Sequence, residues 1–241
     1  MRKHFFKGMK DGIPTALGYL SVSFGFGILA VNLGLTIAQS VVMSATNLTS
    51  AGQVAGVGII AAGGTLIEMI LTQFVLNVRY SLMGLSLSQK LDSKFNTFHR
   101  MVISFGITDE NFAVAYSQKG DITPAYMYGM ILVSMVGWVF GTLLGAVAGH
   151  ILPSALTAAM GILVYGMFLA IIIPPSRKSR GILMAVVIGA LCSILIKYVF
   201  TFISSGFSVI ISAVISAAVC ALLFPMNDDS ESDTPKEGGD A

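Results

Sequence analysis

Charge is what this chain has least of. Asp, Glu, Lys and Arg make up 11% of its residues and the hydrophobic types 55%, whereas soluble domains carry about a quarter charged residues. With a mean hydropathy of +0.83, that scarcity excludes a soluble enzyme or binding module and predicts an integral membrane protein. A net charge of +2 is too small to argue for nucleic acid. Cysteine is nearly absent too. Cys192 and Cys220 both lie in apolar runs, which suits packing rather than a disulfide or metal pair. His4, His99 and His150 are scattered, and no His-Glu-x-x-His motif occurs, so no metal or other cofactor is expected. No Gly-x-Ser-x-Gly elbow and no phosphate-binding Gly-x-x-x-x-Gly-Lys loop is present, so nothing points to a serine hydrolase or to nucleotide-driven work. An intramembrane aspartyl hydrolase needs two buried aspartates, and only Asp109 is a candidate. A membrane enzyme and a scaffold subunit without a pathway of its own are therefore the less favoured classes.

What the chain has in abundance is apolar runs long enough to span a bilayer. The short alternating segments of a β-barrel are absent. The expected fold is all-α: a polytopic helical membrane protein of about six spanning helices plus two discontinuous or re-entrant segments. Residues 1–10 form a basic N-terminal segment with Arg2, Lys3, Lys7 and Lys10. Residues 11–226 form the transmembrane domain. Residues 227–241 are acidic, with Pro235 and two glycines, and read as a disordered tail. The first span is predicted over 13–31, with Asp11 as its cap and Pro14 in its first turn. Further spans are predicted over 65–87, 124–149, 154–173, 181–200 and 207–224.

Two segments resist simple spanning. Residues 35–62 are long enough to cross, yet their centre carries Ser44, Thr46, Asn47, Thr49, Ser50 and Gln53. Polar side chains at that depth must face protein or water. The second is Ser104-Phe-Gly-Ile-Thr-Asp-Glu-Asn-Phe-Ala-Val-Ala115. Gly106 can break a helix, and Thr108 can cap a new one whose first turn carries Asp109, Glu110 and Asn111. Acids in a first turn also suit the helix dipole, so capping and a functional site both remain open here.

Charge asymmetry orients the chain. Basic residues cluster at the N-terminus, at Lys90, Lys94 and Arg100, and at Arg177, Lys178 and Arg180, which places all three loops, and both termini, in the cytoplasm. That requires an even number of crossings between successive basic loops. The requirement is met if 35–62 is re-entrant and 101–118 does not cross. Discontinuous segments at membrane depth are where transporters place substrate sites.

Within 65–87, Glu68, Thr72, Val75 and Arg79 share one helical face, and Gln73, Asn77, Tyr80 and Gly84 another. Glu68 and Arg79 are eleven residues apart, about 16 Å along an axis, too far for a direct ion pair. Glu68 joins Asp109 and Glu110 as a proton-coupling candidate; the alternative is that Glu68 and Arg79 lie at opposite interfaces. Gly137, Gly141, Gly145 and Gly149 recur every fourth position and form a close-packing face for another helix.

Several motifs then line up in order. They are Gly12-Ile-Pro14 with Gly18 and Ser23-Phe-Gly25; Met43-Ser44 and Ala51-Gly52-Gln53; Asn77-Val-Arg79-Tyr80; Thr108-Asp109-Glu110 with Phe112-Ala113; Gly141-Thr142 with Gly145; and Tyr165-Gly-Met-Phe168 before Pro174. Over roughly residues 10–224 the chain resembles the AzlC-type branched-chain amino-acid permeases, the large subunits of the LIV-E exporters. The resemblance implies a multi-pass protein of the bacterial inner membrane that exports valine, leucine or isoleucine with a small hydrophobic AzlD-type subunit, for which the glycine face is a docking candidate. It departs from the family pattern in its polar Asn47-Leu-Thr-Ser50 stretch and in Gly161, where many members carry Asp. The substrate therefore stays open to another small amino acid or zwitterion. Such substrates need an acid for their ammonium and helix N-termini, amides or a cation for their carboxylate. The candidates are Asp109 and Glu110 for the first, Arg79 for the second, and Asn47, Gln53 and Asn77 for polar contacts.

Overall fold

A computed structural model describes residues 2–153, 166, 168–169, 172–177 and 179–224. The acidic tail, Gly161 and most of the span expected over 154–173 lie outside the described residues. Among the described residues the elements are all helical: α1 (Arg2–Asn32), α2 (Ile37–Thr46), α3 (Ser50–Ala61), α4 (Leu66–Ser88), α5 (Thr97–Ser104), α6 (Asp109–Tyr116), α7 (Pro124–Ile151), α8 (Arg180–Val199) and α9 (Ser205–Leu223). Small polar residues start most of them, because their side chains satisfy amides that have no intrahelical partner. Thr36, Thr65, Asn96, Thr108, Thr123 and Ser179 each accept from the backbone N–H three residues on. Pro124 follows its cap at the start of α7, where a missing N–H costs nothing.

Helices α1, α7, α8 and α9 are long and apolar enough to cross a membrane. Helix α4, with 23 residues, reaches about 35 Å and also exceeds the hydrocarbon thickness, though it is more polar. The protein is thus an all-α polytopic membrane protein. One boundary differs from expectation: α1 begins at Arg2, Pro14 lies inside it, and Asp11 accepts a hydrogen bond from the Tyr126 hydroxyl at 3.1 Å instead of capping. Packing explains the extension. Gly8 and Gly12 lie against the backbone of Tyr126 and Met130, so α1 is supported by α7 a full turn before the apolar run begins.

That contact continues along both helices. Gly137, Gly141 and Gly145 lie against the backbones of Ala16, Leu20 and Phe24, where even a methyl group would clash. The glycine stripe is therefore the seat of α1 and is not free for a second subunit. Rising numbers in α1 meet rising numbers in α7, so the two helices are parallel, with both starts on one face of the membrane (the near face).

Parallel packing fixes the rest. Helix α2 starts beside the far end of α1, and Ser44 Oγ lies 2.7 Å from Thr142 Oγ1. The chain then breaks at Asn47–Thr49, where Leu48 packs with Tyr19 and Trp138, halfway along α1 and α7. Helix α3 returns, bringing Val57 to Phe26, Ala30 and Leu35 near the far face. Residues 35–62 are a re-entrant hairpin, as the polarity of their centre requires. Helix α4 crosses back to the near face, where Lys90 and Asp92 pair with Ile122 just before α7. Helices α5 and α6 form a second hairpin from that face. His99 Nδ1 meets the Tyr128 hydroxyl at 2.8 Å, Gly106 sits against Ile131, and Asn111 reaches Ser134 at 3.0 Å. Lys7 then bonds Gln118 at 2.7 Å, back at the near face. Helix α9 runs from the far face, where Glu68 meets its first turn, and α8 lies alongside it with Ser216 Oγ on Ala185 O at 2.6 Å. The near face therefore carries the N-terminus, Lys90–Arg100, Arg180 and the end of α9.

Candidate functional site

Two half-helix hairpins enter from opposite faces and their tips meet the middle of α1 and α7. At this level the starts of α3 and α6 offer the positive ends of their dipoles. Tyr19 and Trp138 join the two tips. Their rings meet edge to face with centroids 5.2 Å apart, and both are buried.

Trp138 Nε1 donates to Gln53 Oε1 at 3.2 Å. Gln53 Nε2 donates to the Asn47 carbonyl at 2.5 Å and to the Met43 carbonyl at 3.1 Å. Gln53 is wholly buried, and its amide ties up carbonyls that α2 leaves unpaired at the break. The Asn47 side chain accepts from the Thr49 N–H at 3.0 Å, which shapes the same turn. Both residues sit where expected, but they build the tip. From α4, Gln73 donates to the Gly52 carbonyl at 2.7 Å and Asn77 donates to Gln73 at 3.0 Å, so the predicted Gln73–Asn77 face lies on α3. Thr49 differs from Thr36, Thr65, Thr108 and Thr123: its side chain makes no capping bond, and its buried Oγ1 has no partner among the described residues.

The second tip carries the acids. Thr108 caps α6 with Oγ1 accepting from Asn111 N at 3.3 Å, as the sequence predicts. The Tyr19 hydroxyl lies 2.5 Å from Thr108 Oγ1 and 2.7 Å from Glu110 Oε2. A phenol has one proton. Given to the Glu110 carboxylate, it leaves Thr108 to donate to Tyr19, so the chain runs Asn111 N–H, Thr108, Tyr19, Glu110. Asp109 is paired with Arg79, Nη1 to Oδ2 at 2.8 Å, with the two side chains 42% and 33% exposed. Arg79 also donates to the Tyr80 hydroxyl at 3.0 Å. Below them Asn111 is fully buried, donates to the Gly106 carbonyl and to Ser134, and leaves Oδ1 without a partner.

The structure thus brings Asp109, Glu110 and Arg79 together and sets Asn47, Gln53 and Asn77 at the opposing tip. Glu68 stands apart. It is buried at the far face, where it accepts from Ser204 Oγ at 2.6 Å and Gly206 N at 2.7 Å and closes the start of α9. Ser204 itself makes no capping bond there, so the acid from α4 takes that role. Tyr19 and Trp138 were not singled out from the sequence. Their signal was a phenol and the chain's single Trp placed mid-span rather than at an interface, where such residues normally sit. Among the described residues no cluster of three potential metal ligands occurs.

Two opposed half-helix hairpins whose tips converge on the Tyr19–Trp138 pair, beside ionisable groups at mid-depth, define a membrane transporter of the permease class. The comparisons carry this to a family. Residues 14–152 match the AzlC protein family. The chain is 30% identical over 198 residues to the inner membrane protein YgaZ of Escherichia coli K12, covering 79% of this chain and 81% of that protein. It is also 30% identical over 188 residues to an uncharacterized membrane protein of Archaeoglobus fulgidus, covering 77% and 82%. A membrane protein of Helicobacter pylori strain 26695 shares 28% identity over 153 residues, covering 60% and 66%. No solved structure matches. This chain belongs to the AzlC family.

Proposed function

We propose that the chain is the large subunit of an exporter of branched-chain amino acids, working in a bacterial inner membrane with a small hydrophobic AzlD-type subunit. The basic loops gathered on the near face support a cytoplasmic location for that face and for both termini. The observation that carries the reading is the convergence of two hairpin tips of unlike character on the Tyr19–Trp138 pair at mid-depth. The start of α3 has no side-chain cap and keeps amides that can receive a carboxylate. The start of α6 carries Asp109 and Glu110. A zwitterion bridging the tips satisfies both ends.

Arg79 already neutralises Asp109, so Glu110, held among the described residues by the Tyr19 hydroxyl, is the acid we assign to the substrate ammonium. The Arg79–Asp109 pair spans α4 and α6 and is the contact that would open as substrate passes. The glycine stripe is filled by α1, so the small subunit docks on another surface. Among the candidate spans described, α8 is the least buried, with 6% of its apolar window buried, and is the favoured side.

The test is counterflow in proteoliposomes carrying this chain with and without its small subunit. Valine, leucine and isoleucine should exchange when both are present and weakly or not at all with this chain alone. Exchange confined to other small amino acids would replace the substrate assignment. No exchange of any amino acid would overturn the reading.

A further inference from the structure

A cavity on the near face is unrelated to the hairpin tips. It has a volume of about 750 Å³ and lies between the start of α1, the loop before α5, α5 itself and the start of α7. Ligand cavities fall within about 300–1,000 Å³. Its walls are mostly carbon, with Phe5 and Ala125 among them, and its polar lining includes Arg2, His4, Lys94 and His99. None of the residues that line it is acidic. Lys94 Nζ lies 3.7 Å from Asp92 Oδ2. The Lys94 amide and the Ser93 hydroxyl hold the Asp92 carboxyl below the ordinary carboxylate range, so it stays ionised and offsets part of one of the positive charges.

Depth gives the cavity its meaning. The first turn of α7 is level with Phe5 and Gly8 of α1, where α1 still carries Lys7 and Lys10. Helix α7, with 28 residues, is about 42 Å long against a hydrocarbon core of about 30 Å, so its first turn can stand at headgroup level. A basic rim over a carbon-lined hollow at that depth matches one molecule abundant there, a phospholipid with an anionic headgroup.

We propose that this cavity is a binding site for an anionic phospholipid, its phosphate against Arg2 and Lys94 and its acyl chain against Phe5 and Ala125. The site is independent of the transport site, and the bound lipid pins the start of α1 to the loop that leads into the α5–α6 hairpin.

The experiment uses the purified full chain in detergent, titrated with phosphatidylglycerol, phosphatidylcholine and inorganic phosphate and read by native mass spectrometry. Phosphatidylglycerol should be retained more strongly than phosphatidylcholine by about tenfold, the attraction expected of two basic side chains at a membrane surface when Asp92 offsets part of one. The double variant Arg2→Gln/Lys94→Gln should lose that preference. Both side chains are exposed, so the variant should keep its gel-filtration profile. Ala125→Trp, which fills the floor, should lower retention without touching the rim. Equal retention of the two lipids, an unchanged preference in the double variant, or displacement of phosphatidylglycerol by inorganic phosphate at similar concentration would overturn the proposal; the last would make it a soluble-anion site.

Discussion

Replacing Tyr19 by Phe removes one oxygen from the centre of the molecule and leaves its packing intact. The edge-to-face contact with Trp138 survives, because the ring is unchanged. The two hydroxyl contacts, to Thr108 and to Glu110, disappear. By soluble-protein measures, a bond to a carboxylate is worth about 1.5–3 kcal/mol and one between hydroxyls about 1 kcal/mol. In membranes the measured average is nearer 0.6 kcal/mol, with a maximum of about 1.7, because the unfolded reference state also finds partners. The membrane figures are the better guide here, so the two contacts together should be worth about 1–3 kcal/mol. Reversible unfolding of the purified chain in mixed micelles measures the loss. Thr108→Val completes a double-mutant cycle, in which the two substitutions should be non-additive by at least about 0.5 kcal/mol. A loss under about 0.3 kcal/mol, or strict additivity, would show that Tyr19 does not tie the α6 tip to α1.

Gly145→Leu should drive a side chain into the Phe24 backbone and destabilise by about 1–3 kcal/mol or more, seen as loss of a monodisperse peak after solubilisation, while Gly18→Leu, with open space around it, should behave as wild type. Gln53→Leu should leave Trp138 Nε1 and the carbonyls of Met43 and Asn47 without their partner, at about 1–3 kcal/mol for each buried group, read in the same unfolding assay. Glu68→Gln keeps an acceptor for Ser204 and Gly206 and should leave transport and its pH profile unchanged, whereas Glu68→Ala should lower stability; a flattened pH profile in Glu68→Gln would make that residue a proton carrier after all.

Much of this architecture is written locally. Thr108 with Asp109, Glu110 and Asn111 announces its own helix start, and Gly106 the break before it, because capping depends on a few neighbouring residues. The polar centre of 35–62 is equally legible, since hydrocarbon forbids it to face lipid. What local pattern does not reveal is which surface meets which. The stripe from Gly137 to Gly149 says that a backbone comes close, but only the fold shows that it is α1, and that contact is also why α1 starts at Arg2 rather than near Asp11. Glu68 and Arg79 share a helical face, yet their partners lie 138 and 30 residues away in Gly206 and Asp109. Gln53 and Asn47 read as ligands because polar groups at depth suggest a site. Each also bonds backbone that the break sets free, a demand visible only once both halves of the hairpin are placed.

The central claim is that Glu110 at the α6 tip holds the ammonium of a zwitterion. Binding of leucine and of its deaminated analogue 4-methylpentanoate to the reconstituted transporter tests it most directly. A charged hydrogen bond is worth about 1.5–3 kcal/mol, or roughly ten- to a hundredfold, so the wild type should favour leucine by that factor. Glu110→Gln should erase the preference while the protein stays folded, and Asp109→Asn should reduce it less, because Arg79 already balances that charge. Full discrimination retained in both variants would contradict the account and leave Asp109 and Glu110 as acids that only stabilise the start of a helix.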